Sequence, residues 1–247
     1  MSAIGFVVSP DLLPKQIIEW YRLNMRLQKR LELPIYLDIA ESIPHFRTLC
    51  QTLPEVIYTT PFTAGKLMKA GYQPIAAPKN HSDEVLIFSR RQGIQQLEAV
   101  RAGVSVACLP NLDVQRIGCR LLEAVDIDDS NSDWRVYQQP QAVLRHVAQG
   151  NTELGVLPVH LFYDLALETQ ERYNILIVSA LSVLRHLFLV RADTGDLADR
   201  LQQVLLQLSQ DARYADLFLG INCEQGLEAI SKEEALFMVD IVETLED

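Results

Sequence analysis

Two places in this 247-residue chain, one near residue 80 and one near residue 180, bracket a self-contained alternation of strands and helices. Residues 1–80 read as strand–helix three times over, and residues 102–178 repeat that rhythm. The tail from about residue 194 is helical again. Alternation of this kind builds mostly parallel sheets covered by helices. One α/β lobe inserted into another needs two chain crossings, and two crossings make a hinged cleft suited to closing on a small ligand. The expected lobes are residues 1–80 with 181–247, and residues 81–180. A chain of this length accommodates two cores more comfortably than one.

The apolar runs carry the assignment. Ile4-Gly5-Phe6-Val7-Val8, ended by Ser9-Pro10, is a buried strand. A helix from about Leu13 to Leu31 follows, with Ile17, Ile18, Tyr21, Met25 and Leu27 expected on its buried face and Lys15, Arg22, Arg26 and Lys29 in water. Ile35 to Ile39 is the second strand, and Glu41 or Ser42 caps the next helix. Val56-Ile57-Tyr58 runs into Thr59-Thr60-Pro61, where proline suits a helix's first turn, and Gly71 closes that helix. Tyr72 to Pro78 leaves the first lobe.

In the second lobe, strands are expected at 84–89, 104–109, 134–137, 154–157 and 173–178. Helices are expected after Asn111, over Gln141–Ala148, and following Pro158-Val159-His160 to about Leu167. Leu187 to Val190 brings the chain back, and an amphipathic helix covers Gly195–Leu208. Ser231-Lys232-Glu233-Glu234 has the capping-box pattern ahead of a last helix, Ala235–Leu245. The acidic finish from Glu243 reads as a frayed end.

Composition narrows the function. With 22 Lys+Arg against 32 Asp+Glu the formal net charge is −10, which argues against a nucleic-acid groove. An anionic small ligand remains compatible, because helix N-termini bind anions through backbone N–H groups. No stretch reaches the roughly 20 apolar residues of a membrane span, so no membrane insertion is expected. The opening residues lack the basic start of a signal peptide, which points to the cytoplasm; a leader removed before Met1 would mean the periplasm instead. Cys50, Cys108, Cys119 and Cys223 are scattered without metal or disulfide spacing, and Cys50 and Cys119 read as buried thiols. His45, His81, His146 and His186 show no metal-cluster spacing, no G-x-S-x-G elbow appears, and the dinucleotide and P-loop glycine patterns are missing. No cofactor and no catalytic residue is expected.

Three strings give the chain a family resemblance: Ile4–Pro10; Gln141–Val156, in which Gly150-Asn151-Thr152-Glu153-Leu154-Gly155 is similar to a G-x-x-D-x-G turn with Glu153 in place of Asp; and Val183–Asp193. The chain resembles the type 2 periplasmic-binding-protein fold. Within that fold it is similar to the phosphate/phosphite/phosphonate-binding receptors of ABC transporters. The resemblance implies an α/β, two-lobed fold with two hinge crossings and a small oxyanion held by strand-end loops and helix N-termini. The positions matching that pattern are Ser9, Ser42, Thr59, Thr60, Asn111 and the loop Pro158–His160. The loop at Pro110-Asn111-Leu112-Asp113 is poorer in Ser, Thr and Gly than the family's usual one.

On the residues alone, Thr59-Thr60-Pro61 is the leading candidate. Two hydroxyls there stand at the positive end of a helix, where capping needs only one. Ser42, Asn111, His160 and Ser9 each have a capping or surface role as the competing reading. Tyr58 and Tyr163 read as core or surface. The expected function is a solute-binding protein for a phosphate- or phosphonate-like anion, acting as a sensor or orphan receptor with a signalling or transporter partner. The alternatives are a cofactor-biosynthesis enzyme on the same fold and a dimeric effector-sensing domain.

Overall fold

Strand order, more than composition, decides where this chain can place polar groups, and a computed structural model covering residues 3–10 and 14–243 gives that order. The first elements are β1 (Ile4–Val8), α1 (Pro14–Leu31), β2 (Ile35–Ile39), α2 (Ile43–Gln51), β3 (Val56–Thr59), α3 (Pro61–Lys69) and β4 (Tyr72–Pro78). Next come β5 (Val85–Arg90), β6 (Val104–Cys108), α4 (Leu112–Glu123), β7 (Ser132–Val136), α5 (Pro140–Ala148), β8 (Leu154–Pro158), α6 (Val159–Tyr163), α7 (Leu167–Gln170) and β9 (Tyr173–Val178). The chain finishes with β10 (Leu187–Arg191), α8 (Leu197–Gln210), α9 (Ala215–Gly220), β11 (Leu227–Ala229) and α10 (Lys232–Glu243). The expected start of α1 at Leu13 and the acidic finish past Glu243 lie outside the described residues.

The chain divides into two units: Met1–Ser82 with Val183–Ile241, and Asp83–Ser182 with Val242–Asp247. The sheet of the first runs β11-β4-β10-β3-β1-β2, and that of the second β7-β6-β8-β5-β9. In the first, β1 is parallel to both β2 and β3, while β10 runs antiparallel between β3 and β4. β11, which the sequence pattern does not announce, adds three residues to the free edge of β4.

The core of the first unit corrects the expected face of α1. Trp20, Leu23, Leu27 and Leu31 are the residues buried against the sheet. Ile17, Ile18, Tyr21 and Met25 instead point outward, exposed by 39%, 65%, 50% and 67%. Both stripes satisfy helical spacing, so periodicity alone leaves the choice open. The bulk of Trp20 decides it. Its ring lies 4.7 Å from Tyr58, 6.0 Å edge-on to Phe6 and 6.0 Å from Phe188, a contact set that no residue of the outer stripe could fill. Asn24, also buried, donates from Nδ2 to Ile35 O at 3.2 Å and so ties α1 to the edge strand β2.

The second unit is organised around Phe88. Its ring packs 5.3 Å from Phe162 and 5.1 Å edge-on to Tyr173, and it lies over Gly155, its partner across the β5–β8 ladder. Where the chain enters and leaves this unit, the Glu84 carboxylate accepts from Ser179 Oγ, from Leu181 N at 3.2 Å and from Ser182 N at 2.9 Å. The helix expected after Pro158-Val159-His160 to about Leu167 is the shorter α6, which ends at Tyr163, and α7 begins at Leu167. Gln170 Nε2 donates to Tyr163 O and Leu165 O at 3.2 and 2.8 Å, satisfying carbonyls at the break. Cys50 and Cys119 are half-exposed rather than buried; the buried thiols are Cys108 and Cys223. The capping box forms as read, with Glu234 N donating to Ser231 Oγ (3.1 Å) and Ser231 N to Glu234 Oε2 (2.8 Å).

A methyl group at position 155 collides with the Phe88 ring. Gly155→Ala is expected to cost about 1–3 kcal/mol of unfolding free energy, the usual penalty of overpacking. Adding Phe88→Leu should recover part of that loss relative to the sum of the single changes, measured as a double-mutant cycle in urea. Strict additivity would show that the ring is not the obstacle.

Candidate functional site

Because β2, β1 and β3 are parallel neighbours, their carboxyl ends come out side by side, and the sequence follows each with small polar residues. The ladder runs one step past the strands: Ser9 N donates to Tyr58 O and Ala40 N to Val8 O, both at 3.0 Å. That step sets Ser9 beside Thr59 at the sheet's end. Both are 1% exposed, and neither Ser9 Oγ nor Thr59 Oγ1 has a hydrogen-bond partner among the described residues. An unsatisfied buried hydroxyl costs about 1–3 kcal/mol. Native structures seldom carry such groups without a reason.

The α3 helix starts directly beyond. Thr60 occupies its N-cap position, but its side chain makes no capping bond; its carbonyl accepts from Ala64 N at 2.9 Å. Pro61 brings no N–H, so the donors at this end are the amides of Phe62 and Thr63, where a helix has no carbonyl of its own to offer. The first turn holds no acidic residue, and the last holds Lys66 and Lys69. The positive end of the α3 dipole therefore has no side-chain carboxylate of its own helix to balance it.

Ser42 follows β2 and is an ordinary cap: its Oγ accepts from His45 N at 3.3 Å while Glu41 N donates to His45 Nδ1 at 3.3 Å. The other two candidates belong to the second unit, past the ends of the parallel pair β6 and β8. Asn111 caps α4, its Oδ1 accepting from Asp113 N at 3.0 Å and Val114 N at 3.3 Å. Asp113 lies buried in that first turn, so this helix start carries its own carboxylate. His160 is the half-buried second residue of the five-residue α6. The structure thus gathers Ser9, Thr59 and Thr60 at one sheet end, with Ser42 on the neighbouring loop, and Asn111 and His160 at the strand ends of the other unit.

One residue at the first sheet end was considered in the sequence only as a metal ligand. His186, 8% exposed, stacks on Tyr58 with ring centroids 5.1 Å apart at 20°, and the next residue, Leu187, pairs with Thr59. Only the antiparallel β10–β3 register reveals that neighbourhood. Tyr58 itself is core and Tyr163 surface. Three of the four cysteine thiols are poor nucleophiles: burial pushes Cys50 up to about 11 and Cys108 up to about 12, and it raises Cys119 as well.

These features can be set beside known proteins. A model of the family described as ABC transporter, phosphonate, periplasmic substrate-binding protein matches residues 6–235. A search of curated protein sequences finds no match. Among solved structures, PhnD1 from Prochlorococcus marinus (MIT 9301) in complex with methylphosphonate is similar with a TM-score of 0.82 at 9% identity, covering 99% of this chain and 98% of that one. XAC2383 from Xanthomonas citri bound to ATP gives 0.76 at 16% identity, covering 100% and 99%. The periplasmic aliphatic sulphonate binding protein SsuA from Escherichia coli gives 0.71 at 13%, covering 100% and 87%. At such identities the likeness establishes the fold, the two-lobed type 2 periplasmic-binding-protein architecture. The family match spans most of the sequence and carries the assignment further: the chain belongs to the phosphonate-binding family of ABC-transporter periplasmic substrate-binding proteins.

Proposed function

We propose that this substrate-binding protein takes a small oxyanion of the phosphonate, phosphate or sulfonate class, and that Ser9, Thr59 and the start of α3 supply donors to it. One observation carries the reading. Two buried hydroxyls without partners among the described residues stand beside a helix start that has no acidic residue in its first turn. An oxyanion would accept hydrogen bonds from both hydroxyls while standing at the positive end of the α3 dipole. Hydrogen bonds to a charged acceptor contribute about 1.5–3 kcal/mol each, so a few suffice for micromolar binding. The methylphosphonate in PhnD1 and the sulphonate named for SsuA are ligands of this chemistry.

The reading needs no covalent chemistry, so the protein binds rather than transforms its ligand. Asn111 stands second to the first-unit residues, because Asp113 already complements the start of α4, and His160 sits on the five-residue α6. The family description names the periplasm and an ABC transporter, and we place the protein there rather than in the cytoplasm. Its partner is then a transporter rather than a separate signalling protein.

A thermal-shift series with methylphosphonate, phosphate, sulfate, methanesulfonate and acetate tests the ligand class. Ligand at about 100 times its dissociation constant adds roughly 2.7 kcal/mol, a shift of a few degrees. If no oxyanion raises the melting temperature, the proposal fails. Thr59→Val provides a second test. Removing an unsatisfied hydroxyl while keeping the shape should raise the stability of the unliganded protein by about 1 kcal/mol, while oxyanion affinity falls about tenfold or more. Unchanged affinity would detach Thr59 from the ligand.

A further inference from the structure

The outward face of α1 is unlike the rest of this acidic chain. Ile17, Ile18, Tyr21 and Met25, exposed by 39–67%, follow one another at the spacings that make neighbours on a helix surface. At about 100° per residue they fill one arc of α1, and Arg22, Arg26, Lys29 and Arg30, all exposed, fill the arc beside it. The third arc is the buried one with Trp20, Leu23, Leu27 and Leu31. From Pro14 to Leu31 the sequence has five basic residues against one acidic, in a chain whose balance is −10. Part of this basic row is held in place within the unit: Arg22 pairs with Glu19 at 2.7 Å, and Arg26 sits 5.4 Å over the Tyr214 ring. The neighbouring helix α9, whose Gly220 packs against Glu19, adds the exposed Leu219.

An apolar stripe bordered along its length by cationic side chains is the pattern of a helix lying in the interface of an anionic lipid layer. We infer that this face of α1 is a peripheral docking surface for an anionic membrane. Charge complementarity selects the occupant. The other exposed apolar pair on a helix, Leu236 and Phe237 of α10, is flanked by Glu233 and Asp240, and an anionic surface repels it. Shallow insertion of Ile18, Tyr21 and Met25 would bring the arginines and Lys29 to the headgroup phosphates, while the acidic remainder of the chain keeps the attachment reversible. The contact is therefore local and sensitive to salt.

Co-sedimentation with vesicles of phosphatidylcholine, and of phosphatidylcholine containing about one-third phosphatidylglycerol, tests this. The intact protein should pellet with the anionic vesicles only, and should be released at about 1 M salt, where screening is nearly complete. Two double variants at exposed positions leave the core untouched: Ile18→Asp with Met25→Asp removes the stripe, and Arg26→Gln with Lys29→Gln thins the basic row. Each should reduce the pelleted fraction several-fold while the melting temperature stays within a few degrees of the parent's, Arg26→Gln giving up only its contact with the Tyr214 ring. Failure of the intact protein to pellet with anionic vesicles would overturn the assignment, as would equal binding to neutral ones or undiminished binding by either variant. Concentration-dependent self-association that the Ile18→Asp, Met25→Asp variant abolishes would assign the face to a second copy of this chain instead.

Discussion

The packing of Trp20 on Tyr58 is the contact that the first unit is arranged around. The indole is completely buried, and Tyr58 and Phe188 close on each other at 4.5 Å beneath it. This cluster joins α1 to β3 and β10 at one depth in the sheet, and aromatic contacts of this kind add about 0.5–1.5 kcal/mol beyond simple burial. Its functional importance is positional. Tyr58 is the residue before Thr59, so whatever holds the Tyr58 ring also holds the backbone that presents the two threonines and starts α3. The same cluster turns α1 about its axis and leaves the Ile17–Met25 stripe in water.

The starts of α3, in the first unit, and α4, in the second, are complemented differently. In the second, Asn111 caps α4 through its side chain and Asp113 places a carboxylate in the first turn, so capping and charge are both provided by the chain. In the first, α3 has no acidic residue in its first turn and its N-cap Thr60 leaves the capping bond unmade. A helix end complemented by its own sequence gains little from an external anion, whereas one without that complement gains more. This difference, rather than the number of hydroxyl groups nearby, separates the better candidate from the weaker one.

Much of this was legible in the sequence because it depends on local rules. Proline at the first turn of α3, the positive φ of Gly71 after it, and the reciprocal bonds of Ser231 and Glu234 are decided by neighbouring residues. The alternation of apolar runs likewise gave the α/β class and placed Ser9 and Thr59 at strand ends. What the sequence could not show is set by distant partners. The choice between two equally periodic faces of α1 rests on Tyr58 and Phe188, far along the chain. The relevance of His186 appears only once β10 is laid antiparallel against β3, and β11 is too short to be distinguished from a loop. That Ser42 makes its capping bond while Thr60 does not also follows from three-dimensional geometry, since both read as helix caps.

The proposed site of neutral donors suits a chain with a net charge of −10. That charge repels an anion at long range, but at physiological ionic strength exposed charges are screened beyond about 8–10 Å. Recognition is therefore decided by the groups in contact. The Ser9 and Thr59 hydroxyls, fixed by β1 and β3, are already desolvated in the folded protein, so that cost is carried by the fold before any ligand arrives. A cationic side chain would attract any anion, whereas fixed neutral donors favour one whose oxygens match their directions, and geometry then does the discriminating. On the proposed reading, the buried hydroxyls of Ser9 and Thr59, without partners among the described residues, are stability given up in exchange for selectivity.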